Sequence, residues 1–260
     1  MSAAGPGGGA ADAWARGTLL GGAISAAGIA VLLASLGVLS VYDVLVLAGV
    51  LVLLPAAGLA QLPLIRPAEL DRISVYGGSA ALMVILAGVC SAVGVTQRGW
   101  GSLGLAPPPR VAVLGWALGL AAAGLLTVWA FRYVALKVGA DESDVLRALL
   151  PATTGERWAF AALAVVAGIG EEVVFRGYAI PVLAEVTGSA AGAAAVTSLV
   201  FGVLHAYQGS IGIARTSVMG GMLAAGFLLS GSLWAPILGH ALIDVLVGIF
   251  LAERLTASVD

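Results

Sequence analysis

The sequence predicts an all-α polytopic membrane bundle of about eight spanning helices. Hydrophobic residues make up 60% of the 260 positions and charged residues only 10%. Mean hydropathy is +1.07. Apolar runs of roughly 20 residues, the length a helix needs to cross a bilayer, recur along the whole chain.

The elements follow in order. Residues 1–16 are rich in Gly and Ala and are expected to form a disordered tail. They lack the basic region of a cleaved signal peptide, so the first span is expected to be retained. Apolar spans are placed at 17–37, 43–64, 73–95, 111–133, 158–182, 189–207, 212–231 and 233–252. Residues 98–110, RGWGSLGLAPPPR, form a turn-rich loop. The polar stretch around 134–157 offers a short amphipathic helix on the membrane surface. The chain thus divides into a four-span region over 17–157, a four-span core over 158–252 and a tail over 253–260.

Composition also excludes partners. A net charge of −2 gives nothing to hold a polyanion, so no nucleic-acid partner is expected. The lone cysteine, Cys90, excludes an internal disulfide and a cysteine metal cluster. Orientation follows from Lys and Arg outside the spans. With eight spans, Arg16, Arg66, Arg72, Arg132, Lys137, Arg147, Arg157 and Arg254 share one side, against Arg98 and Arg110 on the other. The excess predicts a multi-pass protein of the cell membrane with both termini cytoplasmic.

Charge inside a span is costly and marks function. Six such residues stand out: Glu171, Glu172, Arg176, His205, His240 and Asp244. All fall in the last four spans, and they include both histidines of the chain. The first four spans offer nothing comparable beyond Asp43, at an end. Chemistry is therefore assigned to the second half. Glu172 and Arg176 are four apart and can pair on one helix face. Glu171 lies about 100° around the helix from its neighbour and can point elsewhere. His240 and Asp244 are also four apart, so the acid can orient the imidazole. A glutamate facing two histidines can hold a metal, or can take a proton from a water that attacks a carbonyl.

Three segments carry a resemblance. EEVVFRG at 171–177 resembles the EExxxR motif of the CPBP intramembrane proteases, a family that includes type II CAAX prenyl proteases and bacteriocin-processing or immunity proteins. FGVLH at 201–205 is similar to its FxxxH motif, and HALID at 240–244 to the third, His followed four residues later by Asn or Asp. The three occur in the family's order, over residues 168–244, while the first four spans carry no matching motif.

The resemblance implies roles. Glu171 matches the glutamate that activates water, and Glu172 the second glutamate, with Arg176 as partner. His205 and His240 match the histidines that hold the water or a metal. Asp244 stands where the prenyl proteases carry an oxyanion-donating asparagine. An ionised aspartate cannot donate, so Asp244 is either protonated or orients His240. The implied cofactor is a divalent metal such as zinc on His205, His240 and Glu171, or none; no HExxH is present to support zinc independently.

The expected function is an intramembrane endopeptidase acting on a membrane protein or peptide in the lipid bilayer, through a pocket between the fifth, sixth and eighth spans. A proton-coupled transporter and a non-catalytic immunity or partner-binding member are the alternatives. Phe175, Phe201 and Trp234 are expected to pack or anchor. Arg215 and Glu185 are expected to snorkel at helix ends. The glycine-rich GSAAG and GGMLAAG are expected to be close-packing faces. Glu171, His205 and His240 fall at different depths in these spans, which calls for a bend in the fifth helix near Pro181.

Overall fold

Side chains that accept from first-turn amides fix where several helices begin. Ser40 accepts from Asp43 N at the start of α2 (Val41–Ala48), and Asp71 from Ser74 N at α4 (Arg72–Arg98). Ser143 caps α6 (Asp144–Leu149), Ser189 caps α9 (Ala190–Leu204), and Thr153 with Glu156 closes a reciprocal capping box on α7 (Thr154–Glu172). The computed structural model describes residues 8–106 and 110–251. The remaining helices are α1 (Gly8–Ser35), α3 (Leu54–Gln61), α5 (Arg110–Val138), α8 (Ile180–Thr187), α10 (Ser210–Ser230) and α11 (Trp234–Val245). Stretches of π-helix join α2 to α3 at Gly49–Leu53, join α7 to α8 at Val173–Ala179, and extend α11 over Leu246–Leu251.

The architecture is the all-α polytopic bundle expected. Seven helices among the described residues are long and apolar enough to cross a bilayer. The eighth expected span is α9, with only 15 residues. At 1.5 Å per residue it reaches about 22 Å, short of a hydrocarbon core of about 30 Å. A second difference lies at the N-terminus. Residues 8–16, assigned to a tail by composition, are the first turns of α1; the segment GAADAWAR is alanine-rich, and alanine is the best helix former. Residues 1–7 and the expected tail at 253–260 lie outside the described residues.

Glycines set which helices touch. A Cβ on Gly168 of α7 would stand 2.9 Å from Ala241 N of α11, and one on Gly170 3.0 Å from Met83 Cβ of α4. These two residues, just before the glutamates, let α11 and α4 close on α7 from two sides. A Cβ on Gly202 would meet Ser217 Oγ at 1.9 Å and Ile213 O at 2.6 Å, so α9 and α10 form a tight hairpin. Gly220 and Gly226 of GGMLAAG likewise abut Ser198 and Leu120. The close-packing expectation holds there. Helix α5 backs α10 and α11, and the first three helices pack alongside through α4 and α9. The four-span region and the core are therefore one bundle.

The fifth span is one continuous 34-residue helix, Thr154–Thr187. Pro181 has no N–H and its ring crowds the carbonyl four residues back. The π-helical stretch ends just before it and supplies the wider turn that the proline needs. All seven residues of that stretch are buried.

Candidate active site

Glu172 and Arg176 sit at the centre of the bundle. Their side chains are 0% and 1% exposed, and Arg176 Nη1 donates to Glu172 Oε1 at 2.7 Å. The guanidinium also donates through Nη2 to Gly220 O at 2.8 Å, and lies over the Phe201 ring at 4.7 Å. A cation that has lost its water is thereby paired, hydrogen-bonded and stacked. Glu172 Oε2 is buried with no hydrogen-bond partner among the described residues, a cost of about 1–3 kcal/mol that the two bonds to Oε1 offset.

The second bond to Oε1 comes from His240 Nδ1, at 2.8 Å. A carboxylate only accepts, so Nδ1 carries the proton, and in the neutral ring Nε2 is left with its lone pair. The close approach of Gly168 to Ala241 puts these two helices in register for this contact. His240 Nε2 then faces Glu171 Oε2 at 3.8 Å and Asp244 Oδ2 at 3.5 Å. The orienting role that spacing offered to Asp244 is carried by Glu172, which holds the opposite ring nitrogen at a shorter distance.

His205 is held the same way. It ends α9, and its Nδ1 donates to Phe201 O, one turn back, at 2.8 Å. Its Nε2 is again the free nitrogen. Phe201 joins both histidines to the arginine: it meets His205 at 4.7 Å between centroids, His240 edge-on at 5.9 Å and Phe175 edge-on at 5.3 Å. Sequence reading made it a packing residue. It is the wall against which both imidazoles and the arginine rest.

Glu171, His205, His240 and Asp244 line one cavity of about 660 Å³. Its far walls are apolar and come from α3 and the turn after it, α4, α6 and α7, including Leu62, Leu82, Leu146 and Phe160. The different depths expected for Glu171, His205 and His240 do not keep them apart. Glu171 lies in the last turn of α7, the short α9 stops at His205, and His240 lies midway along α11. A carboxylate and an imidazole nitrogen 3.8 Å apart can share one water, since two hydrogen bonds of about 2.8 Å span up to about 5.6 Å.

The donor types of Glu171, His205 and His240 suit zinc. Among the described residues, however, no three His, Cys, Asp or Glu side chains come together as a group that could hold a metal ion.

Two other sequence assignments change, and Asp43 gains a role. Arg215 is buried rather than snorkelling: Nη1 donates to Glu142 Oε1 at 2.6 Å, and Nη2 to Gln208 Oε1 at 2.9 Å. Glu185 accepts from Arg98 Nε at 2.5 Å, and the same arginine forks onto Asp43 with two bonds of 3.0 Å. Tyr178 donates to Asp43 Oδ1 at 2.9 Å. Asp43, at the edge of the charge pattern in sequence, is thus the buried tie between α2, α4 and the fifth span. These partners are 55 to 135 residues apart in sequence, so no local spacing exposes them.

Residues 153–246 match the family described as type II CAAX prenyl endopeptidase Rce1-like. The match begins at the capping box of α7 and ends just past Asp244, so it takes in the whole polar assembly. No curated protein and no solved structure matches the chain.

Proposed function

We propose that this chain, a multi-pass membrane protein whose 153–246 segment belongs to the type II CAAX prenyl endopeptidase family, is an intramembrane endopeptidase that cleaves a membrane-associated protein or peptide with water activated by Glu171. The observation that carries the reading is the convergence of Glu171, His205 and His240 on one cavity, with both Nδ1 positions already occupied. Two imidazoles so held turn Nε2 inward. Glu171 and the Nε2 of His240 accept the two hydrogens of one water. Its oxygen lone pair is then free to attack.

The reaction runs in two steps. Glu171 takes a proton as the water oxygen bonds to the carbonyl carbon, and the carbonyl π pair moves to its oxygen. On collapse the C–N bond breaks and Glu171 returns the proton to the leaving amine. Glu172 and Arg176 take no part in proton transfer; they hold His240 and cancel each other's charge.

The apolar far end of the cavity suits a substrate bearing a lipid or an apolar segment, and the family description names prenyl substrates. Glu171→Gln keeps the shape and removes the base. Cleavage of a fluorogenic peptide ending in S-farnesyl cysteine and three further residues should fall at least about 10²-fold in the variant. Membrane proteomes should show precursors accumulating only with the variant. Equal cleavage and equal proteomes would end the hydrolase reading and leave a non-catalytic member.

A further inference from the structure

The proposed reaction places negative charge on a carbonyl oxygen, and none of the four side chains above is built to receive it. Glu171 is the base. The two histidines have donated their Nδ1 protons elsewhere. Asp244 in its carboxylate form only accepts. A donor is required that lines the cavity and keeps a spare proton at neutral pH.

Tyr207 meets these conditions. It sits in the single 3₁₀ turn Ala206–Gln208 between α9 and α10, two residues beyond His205, and lines the same cavity. Its ring is 5.9 Å from that of His205. The turn is tied down at both ends. Tyr207 O accepts from Ser143 Oγ, and Gly209, with φ of +87°, closes the turn in a conformation that a side chain would strain.

The phenol oxygen accepts from Gln208 Nε2 at 3.3 Å, and among the described residues its own O–H has no acceptor. A phenol holds its proton until a pH of about 10. The bond from Gln208 is the last in a directed chain. Arg215, anchored on Glu142, donates to Gln208 Oε1 at 2.9 Å, and the same amide donates onward to the phenol. Each donation polarises the next donor, so a chain that starts at a cation strengthens the hydrogen bond its last O–H can give. This also accounts for a buried arginine in α10 with no part in the water-activating group.

We propose that the Tyr207 hydroxyl donates the hydrogen bond that receives the oxyanion of the tetrahedral intermediate. The inference rests on the hydrolase reading above. No proton is transferred from Tyr207: the O–H is shared with the oxyanion as the carbonyl π pair arrives, and released as the C–N bond breaks.

The test uses the full chain in liposomes with the farnesylated fluorogenic peptide. Tyr207→Phe removes one oxygen. It should lower kcat about 10²–10³-fold while leaving KM, thermal stability and membrane abundance at wild-type values. An amide at 244 carries the N–H that a carboxylate lacks, so Asp244→Asn placed in the Tyr207→Phe background should recover about tenfold or more in kcat. A Tyr207→Phe enzyme within about threefold of wild-type kcat, or one that loses activity only in step with thermal stability, overturns the assignment. Wild-type cleavage with an active Tyr207→Phe sinks this inference alone. A wild-type protein that cleaves neither the peptide nor any membrane protein removes the hydrolase reading and this one with it.

Discussion

Arg176 meets four groups at once: Glu172, Gly220 O, the Phe201 ring and, through the shared Oε1, His240. Removing it leaves a fully buried carboxylate beside an imidazole. Breaking one side of a buried pair costs about 3–5 kcal/mol, so Arg176→Ala should lower membrane abundance as well as cleavage. Replacing both partners is a different experiment. Glu172→Gln with Arg176→Met keeps an acceptor for His240 Nδ1 and buries no charge. Abundance by immunoblot should return to near wild type while cleavage stays low. An Arg176→Ala protein of normal abundance and normal thermal stability would remove the structural half of this argument. At this scale the sequence was informative where partners are four apart: Glu172–Arg176 was visible as one helix face. The contact from Glu172 to His240 spans 68 residues, and spacing alone led instead to the adjacent Asp244. Tyr207 carried no signal at all. It is one tyrosine in a turn, and only the path of α9 and α10 brings it to the cavity.

The elements that hold the site are positioned by missing side chains. Gly168 is the clearest case, because its neighbour across the interface is backbone: Ala241 N at 2.9 Å and Cα at 3.1 Å from an added Cβ. Backbone cannot swing aside as a long side chain can. Gly168→Ala should push α11 away from α7 and lengthen the bond from His240 to Glu172. Overpacking of this kind costs about 1–3 kcal/mol, and activity should fall by more than abundance, since a small displacement at a reacting group is amplified in rate. Gly115 on α5 is the control, with nothing among the described residues within 4 Å of an added Cβ; Gly115→Ala should match wild type in both thermal stability and cleavage. A Gly168→Ala protein as active as Gly115→Ala would show that the α7–α11 contact does not set the geometry. Hydropathy located these helices well and their ends less well. The π-helical stretch at 173–179 was foreshadowed only by Pro181, because i→i+5 hydrogen bonding leaves no mark on apolar periodicity. The short α9 was read as a full span because its end at His205 is covered by other protein.

Orientation is decided by the molecule as a whole, and it turns on that short helix. If α9 entered and left by the same side, the count of crossings would change by one and the termini would lie on opposite faces. The contacts argue otherwise. The end of α9 is fastened to the segment before α6: Ser143 bonds to Tyr207 O, and Glu142 pairs with Arg215 at the start of α10. That segment is tied in turn to the start of α4, where Arg72 donates to Ala148 O at 2.7 Å. Residues at this end include Arg66, Arg72, Arg147 and Arg157, four of the eight cations counted on one side. The end of α9 therefore lies toward the cation-rich end of the bundle, with residues 139–150 packed against it where the helix itself stops short. Eight crossings are what this path predicts, and the cation excess predicts that this end and both termini are cytoplasmic. The cavity, lined by Leu62, Leu70, Leu146 and Leu149 from this end, would then admit substrate from the cytoplasmic side. Two exposed positions test the assignment. Glu69 lies at the cation-rich end and Gly101 at the opposite one, and the native Cys90 is buried and silent to a bulky reagent. A membrane-impermeant maleimide added to intact cells should label Gly101→Cys and spare Glu69→Cys, with the reverse pattern in inverted vesicles. Labelling of both from one side would mean that α4, the helix between them, does not complete a crossing. Labelling of Glu69→Cys alone in intact cells would invert the whole bundle and place the mouth of the cavity outside.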